Sequence, residues 1–300
     1  CILSHSEMQL LIYFIFLFFL RFFSLLHFRI LYAISDFLRF LFYHVIHYRR
    51  KIIIENLKRS FPDKTHSQLM EMLNDIYRNL MDIVVESMKG LTMSSKNVIE
   101  RYKILNPELI NTYYDKGKSV VCVAAHYCNW EWGAFSGSSQ LKHKIIALYK
   151  PMSNIYIDEY MRKKRTNAKV TMASIYETTQ TFDTNSNEVC AFVMVADQSP
   201  TNVERAYWIK FLNQDTACLH GPEKHARQNE LPVIYLDIQR QKRGFYTVEA
   251  SILTDEPDTL PEGEVTRMYM KKLETIIKAK PENWLWSHRR WKRKRDEVFS

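Results

Sequence analysis

Lys118-Ser119-Val120-Val121-Cys122-Val123-Ala124-Ala125-His126-Tyr127-Cys128-Asn129-Trp130-Glu131-Trp132-Gly133 is the stretch on which the fold turns. The residues before His126 are small or β-branched, the pattern of a strand buried in a parallel sheet. Beyond Glu131 the chain can start a helix. A histidine at a strand end, on the turn into a helix, stands where open α/β sheets place their chemistry. A lone histidine is more often structural or simply exposed. The carboxylate five positions later and the strand–turn setting favour the catalytic reading.

The same alternation of short apolar runs and helical stretches continues outward. Strands are expected at 119–125, 144–149, 189–196, 232–239 and 246–253, and helices at 155–165, 174–183, 221–229 and 262–280. Upstream, Thr65-His66-Ser67-Gln68 has the form of a capping box. Leu69, Met72, Leu73, Ile76, Tyr77, Leu80, Ile83 and Val84 follow it at helical spacing towards Gly90. Pro62 closes the helix before it. The fold class is α/β with a mostly parallel centre and no internal repeat or long linker.

The first sixty residues differ. Leu10 to Leu20 is apolar throughout, and with Arg21 tolerated the run from Met8 to Leu26 approaches the roughly 20 residues a membrane span needs. A cleaved signal peptide would need a basic n-region and a small-residue cleavage site, and the chain offers neither. Basic residues follow the run instead (Arg21, Arg29, Arg39, Arg49, Arg50, Lys51), which places the body of the protein on the cytoplasmic side. Residues 28–48 alternate large apolar side chains with Arg, His and Asp. They read as an amphipathic helix on the membrane surface, or as an ordinary core helix. Two units are therefore expected: 1–60, an N-terminal membrane anchor and amphipathic helical region, and 61–300, the catalytic domain.

Composition narrows the function classes. The chain has 300 residues, 46% of them apolar, enough for a sizeable core, and only 7 glycines, which argues against a glycine-rich nucleotide loop. A net charge of +9 favours anionic partners. The five cysteines form no CxxC pair, so they read as reduced thiols in a cytosolic compartment. No Cys/His spacing fits a metal-ligand cluster. Cys1 stands where a methionine would open a complete chain, so further N-terminal residues are expected. Six of the eight residues from His288 to Arg295 are Arg or Lys, beside Trp284, Trp286 and Trp291. This cluster suits membrane phosphate or an acidic carrier, with the tryptophans at headgroup level. Single-stranded nucleic acid is the rival partner, disfavoured by the upstream anchor and the His/Glu pair.

His126-Tyr-Cys-Asn129-Trp130-Glu131 resembles the HxxxxE/D motif of glycerolipid-type acyltransferases. In its HxxNWE form it resembles the lipid A biosynthesis late acyltransferases, the lauroyl and myristoyl transferases of Gram-negative bacteria. The likeness runs in order through most of the chain. Asn56-Leu57-Lys58-Arg59-Ser60-Phe61-Pro62 is similar to the segment after that family's anchor. Lys150-Pro151-Met152-Ser153-Asn154, with Arg162 and Arg165, is similar to its second block. Ala196-Asp197-Gln198-Ser199-Pro200 resembles its DQ.P block, and Phe211 to Thr216 with Gly221 the block after it. Trp284 to Lys292 resembles its W.W.HRR.K. Lys150 departs from the arginine of many members, which weakens any bidentate phosphate contact there. The wording is closer to Bacteroidetes-type relatives.

The resemblance implies a glycerolipid acyltransferase-like mixed sheet flanked by helices. It also implies an enzyme of the inner membrane that moves a fatty acyl chain from a thioester, carried by acyl carrier protein, to a hydroxyl of a lipid A precursor. Another lipid acceptor, such as a lysophospholipid or aminolipid, and a non-catalytic lipid-binding homologue are the alternatives. His126 is expected to be the general base, with Glu131 accepting its other ring N–H. Asn129, Lys150, Asn154, Arg162, Arg165, Asp197 and Gln198 are expected to bind substrate. No cofactor and no metal are implied.

Overall fold

A computed structural model describes residues 4–167, 169–204 and 206–295. The N-terminal part is helical: α1 (His5–Leu25), α2 (Phe28–Leu41), a π-helical turn Phe42–Ile46, α3 (Arg50–Ser60), α4 (His66–Gly90) and α5 (Ser95–Arg101). The rest alternates: β1 (Tyr102–Ile104), α6 (Pro107–Asp115), β2 (Val120–Ala124), α7 (Trp130–Gln140), β3 (Lys144–Tyr149), α8 (Ile155–Asn167), β4 (Val170–Ser174), α9 (Thr178–Thr184) and β5 (Cys190–Val195). A hairpin β6 (Tyr207–Phe211) and β7 (Gln214–Cys218) precedes α10 (Gly221–Gln228), β8 (Val233–Lys242), β9 (Phe245–Thr254) and α11 (Glu264–Ala279).

Seven strands form one mixed sheet in the order β1-β9-β8-β2-β5-β3-β4. Every pairing is parallel except β8 with β9, an antiparallel hairpin. The expected α/β fold with a parallel centre and flanking helices is what forms. All five expected strands are present. The sequence reading missed β1, β4 and the β6–β7 hairpin, which are short or half exposed and carry little periodic signal. It also missed α5 and α6.

Strand β2 is buried along its whole length, as its Val-Val-Cys-Val-Ala composition requires. Because β5 inserts between β2 and β3, Ala124 and Val195 pair at neighbouring carboxyl ends. This adjacency places the chemistry. His126 and Asp197 each lie two residues beyond that pair, so two segments 71 residues apart meet at one edge.

Helix α4 begins with the expected capping box: Thr65 Oγ1 accepts from Gln68 N, and Gln68 Oε1 accepts from Thr65 N. Gly90 is the last residue of the helix, with Leu91 as its cap. Its missing side chain serves packing: a Cβ there would sit 2.4 Å from Nε1 of Trp132. Buried Asp82 of α4 binds Ser35 of α2 (2.6 Å), Arg240 (2.5 Å) and Arg243 (2.6 Å), fastening α2 and the β8–β9 hairpin to it.

Only Leu20 of α1 is buried. This 21-residue helix, of mean hydropathy 2.0, is long and apolar enough to cross a membrane, the one such helix among the described residues. Residues 28–48 pack on the body along one face and leave apolar side chains exposed on the other. Leu31 and Ser35 are buried against the body, while Ile30, Phe37, Phe40, Val45 and Ile46 are exposed.

The interfacial reading of the C-terminal tryptophans is corrected. Trp284 and Trp286 are buried, and Trp284 packs edge-on against Trp286, Trp291 and Phe211. Trp291 donates to Thr216 Oγ1 at 2.8 Å. Arg290, in the basic cluster, is also buried, donating to the Ala217 carbonyl at 2.7 Å. Interior space around the hairpin outweighs the sequence's interfacial composition.

Candidate active site

Leaving β2, the chain makes a tight turn. Tyr127 N donates to the Ala125 carbonyl at 2.7 Å, and Cys128 adopts a left-handed φ of 53°. A segment from the C-terminus clamps the turn: Leu285 N donates to the His126 carbonyl at 3.1 Å, and Cys128 N to the Asn283 carbonyl at 2.8 Å. Asn129 then caps α7, accepting from Trp132 N at 3.1 Å. His126 is thereby fixed at the strand's carboxyl end by main-chain bonds on both sides.

Nδ1 of His126 lies 2.6 Å from Oδ1 of Asp197. Trp284 Nε1 donates to the other carboxylate oxygen at 2.8 Å. Burial alone would raise the Asp197 carboxyl, but the His126 ring and the Trp284 N–H more than offset that and hold it at about 2. The carboxylate is therefore ionised at neutral pH, Nδ1 carries the proton, and Nε2 presents its lone pair. The side-chain amide of Gln198 donates to Nε2 at 3.2 Å. Asp197 adds stability above its ordinary pKa of 3.8, and that contribution is lost as the pH falls through about 2.

The contact expected between His126 and Glu131 is corrected. Glu131 sits in the first turn of α7 and pairs with Arg165 of α8. Five residues on, past a capped helix start, its carboxyl faces α8, while Asp197 approaches the ring from the neighbouring strand.

The expected substrate residues divide. Lys150, Arg165 and Gln198 line the cavity in front of His126, as do Glu131 and His126 itself. Arg162 is exposed on α8 outside that cavity. Asn129, Asn154 and Asp197 are held by the protein itself. Asn129 is fully buried, and its amide donates to Glu86 at 2.8 Å. Asn154 accepts from Tyr156 N and Ile157 N, opening α8, and donates to the Gln9 carbonyl of α1 at 2.8 Å. Asp197 is buried behind the ring. In all three, hydrogen bonds to the protein take up the polar atoms.

Three site residues escaped the sequence reading. Trp284 orders the carboxylate. His288 accepts from Ser199 N at 3.2 Å through Nε2, and burial lowers its pKa to about 4, so it is neutral at pH 7. Glu86 of α4 is the third. Fully buried, it accepts from Tyr32 (2.9 Å), Tyr246 (2.7 Å) and Asn129, and its carbonyl accepts from Trp132 Nε1 at 2.9 Å. Glu86→Leu would strand these donors and is expected to destabilise the fold by about 3 kcal/mol, read as a lowered Tm.

The cavity itself encloses about 630 Å³. It runs from His126 between α7 and the sheet, past Ala124, Ala147, Val193 and Ile238. Gly133, Ala134 and Gly137 are its small-residue wall on α7. Three of its lining residues carry buried donors with no hydrogen-bond partner among the described residues: Tyr102 Oη, Arg165 Nε and Ser199 Oγ. The site thus sets a ring nitrogen of His126, whose other nitrogen meets a buried acid, beside an apolar cavity with unpaired donors.

The family model for bacterial lipid A biosynthesis acyltransferases matches residues 4–293, and the chain belongs to that family. The family implies lipid A acyltransferase activity. A comparison with curated proteins finds no match.

Proposed function

We propose that this protein is a membrane-bound enzyme that transfers a fatty acyl chain from a thioester, carried by acyl carrier protein, to a hydroxyl of a lipid A precursor. The observation that carries this reading is the His126–Asp197 pair at the mouth of the apolar cavity.

In this mechanism the acceptor hydroxyl displaces the Gln198 amide from Nε2 of His126. Nε2 takes the hydroxyl proton as the oxygen attacks the thioester carbonyl. Asp197 holds the Nδ1–H tautomer and stabilises the imidazolium. The tetrahedral oxyanion needs donors already in place, and the freed Gln198 amide and Ser199 Oγ are at hand. Collapse breaks the C–S bond, and the leaving thiolate takes the proton from Nε2. The acceptor supplies the nucleophile, so no acyl-enzyme is formed. Glu131 acts as a positioning residue: it holds Arg165, whose unpaired Nε would receive an acceptor phosphate. Helix α1 would anchor the chain in the inner membrane, with the catalytic face on the cytoplasmic side.

The acyl chain of the donor would lie between α7 and the sheet. Gly137 is buried there, and a Cβ added to it meets nothing within 4 Å. Gly137→Leu should therefore fill the far cavity without strain, and loss of a mid-helix glycine favours the helix itself. Assayed with acyl thioesters of graded length, the wild type is expected to transfer one chain-length class best. The variant should shift that optimum to shorter chains. An unchanged optimum would contradict this placement, and failure to transfer any chain would contradict the activity.

A further inference from the structure

Under α7 the cavity is lined by Ile104, Ala134, Ile238 and Val248, and Tyr102 of β1 sets a hydroxyl beside them. Tyr102 is 1% exposed, and its Oη has no hydrogen-bond partner among the described residues. Three other buried tyrosines are paired. Tyr77 donates to the Tyr48 carbonyl at 2.6 Å, Tyr246 to Glu86 at 2.7 Å and Tyr269 to the Leu219 carbonyl at 2.5 Å. A buried hydroxyl left unpaired costs free energy, so Oη calls for a partner from outside the chain.

The rest of Tyr102 is fixed. Its carbonyl accepts from Ser136 Oγ at 2.5 Å and from Gln140 Nε2 at 3.0 Å, both on α7. Its ring packs on that of Tyr246, with centroids 5.9 Å apart. Gly133 of α7 stands against the hydroxyl. A Cβ there would sit 3.0 Å from Oη, so the glycine leaves the oxygen uncovered.

We infer that Tyr102 selects a donor acyl chain that carries a hydroxyl, by hydrogen bonding to it through Oη. The inference rests on the proposed function and names the chemical class of its acyl donor.

A hydroxyl has the right chemistry, because it can accept from Oη or donate to it. A plain chain has neither capacity. It would press methylenes against Oη, shut out solvent and leave the phenol unpaired while it is bound. A site that pairs a substrate hydroxyl discriminates against the analogue lacking it for that reason. In the proposed mechanism the thioester carbonyl is taken by Gln198 and Ser199, which leaves Oη to the chain. Gly133 stands about one helical turn nearer the start of α7 than Gly137, so the substituent falls short of the chain's far end.

Unreactive acyl thioethers of pantetheine give the test, bound to full-length protein in nanodiscs and followed by calorimetry. The series has one chain length, either plain or with a single hydroxyl at successive carbons. One positional isomer should bind the wild type roughly tenfold more tightly than the plain chain, the scale of one buried hydrogen bond. Tyr102→Phe keeps the ring on Tyr246 and loses no bond to the protein, so Tm should not fall. That variant should bind the two chains equally. In turnover the same isomer should lead in kcat/KM as a carrier thioester, and the lead should vanish in Tyr102→Phe. A plain chain bound as tightly as every isomer by the wild type, or a preference that survives in Tyr102→Phe, would overturn the inference. Absence of acyl transfer from any thioester would refute the proposed function instead, and the thioether affinities would still decide the role of Tyr102.

Discussion

His126→Ala is expected to lower kcat for acyl transfer by roughly a thousandfold, the scale of a positioned general base. An alcohol attacks a thioester slowly while it keeps its proton. The other basic groups lining the cavity are already engaged: His288 is bound to Ser199 N through its own Nε2, Glu131 is paired with Arg165, and Asp158 accepts from Tyr149 and Met152 N. The fold should persist. The His126 side chain is 20% exposed, and Asp197 keeps the Trp284 N–H when the ring is gone. Steady-state kinetics together with a thermal melt separate the two effects: kcat falls while Tm stays close to that of the wild type.

Asp197→Asn is expected to cost as much, for a different reason. Trp284 Nε1 can only donate, so it requires an oxygen at its side of residue 197. An asparagine there must turn its carbonyl to Trp284 and its amide N–H to His126. Nδ1 then becomes the acceptor, the proton moves to Nε2, and the ring has no lone pair for the substrate. A loss of about a thousandfold to ten-thousandfold in kcat follows, as for the wrong tautomer in a Ser-His-Asp triad. Glu131→Gln serves as the contrast. Its partner is Arg165, so the variant should raise KM for a phosphorylated acceptor more than it lowers kcat. A larger kcat loss at Glu131 than at Asp197 would return the orienting role to the motif's own carboxylate.

The pairing of His126 with Asp197 rather than with Glu131 shows what linear spacing can and cannot carry. Val120 to Ala124 is legible as a buried strand because every residue is small and apolar, and His126 is legible as its end. Asp197-Gln198 is legible as a second strand end. Their meeting depends on strand order, since β5 lies beside β2 only because β3 and β4 form further out. No local periodicity encodes that order. The carboxylate nearest in sequence is therefore not the one that meets the ring.

The same limit hid Trp284 and Glu86. Trp284 lies 87 residues beyond Asp197 in the sequence, and aromatic residues in a basic tail have the composition of an interface. Burial against Phe211 and Trp286 is a tertiary fact. Glu86 sits on a helix whose period marks the core face well, yet a carboxylate on such a face reads as exposed until its three donors are seen. Helix α4, with its capping box and apolar stripe, was legible almost to the residue because its signals are local.

Mass spectrometry of the lipid products tests the central claim most directly. Purified protein in nanodiscs is given an acyl-carrier-protein thioester and a phosphorylated, partly acylated lipid A precursor. The account predicts that the wild type adds one acyl group to the acceptor with loss of the carrier thiol. The protein mass stays unchanged, and neither His126→Ala nor Asp197→Asn gives product above background. An acceptor left unmodified by the wild type, or full product from His126→Ala, would contradict it.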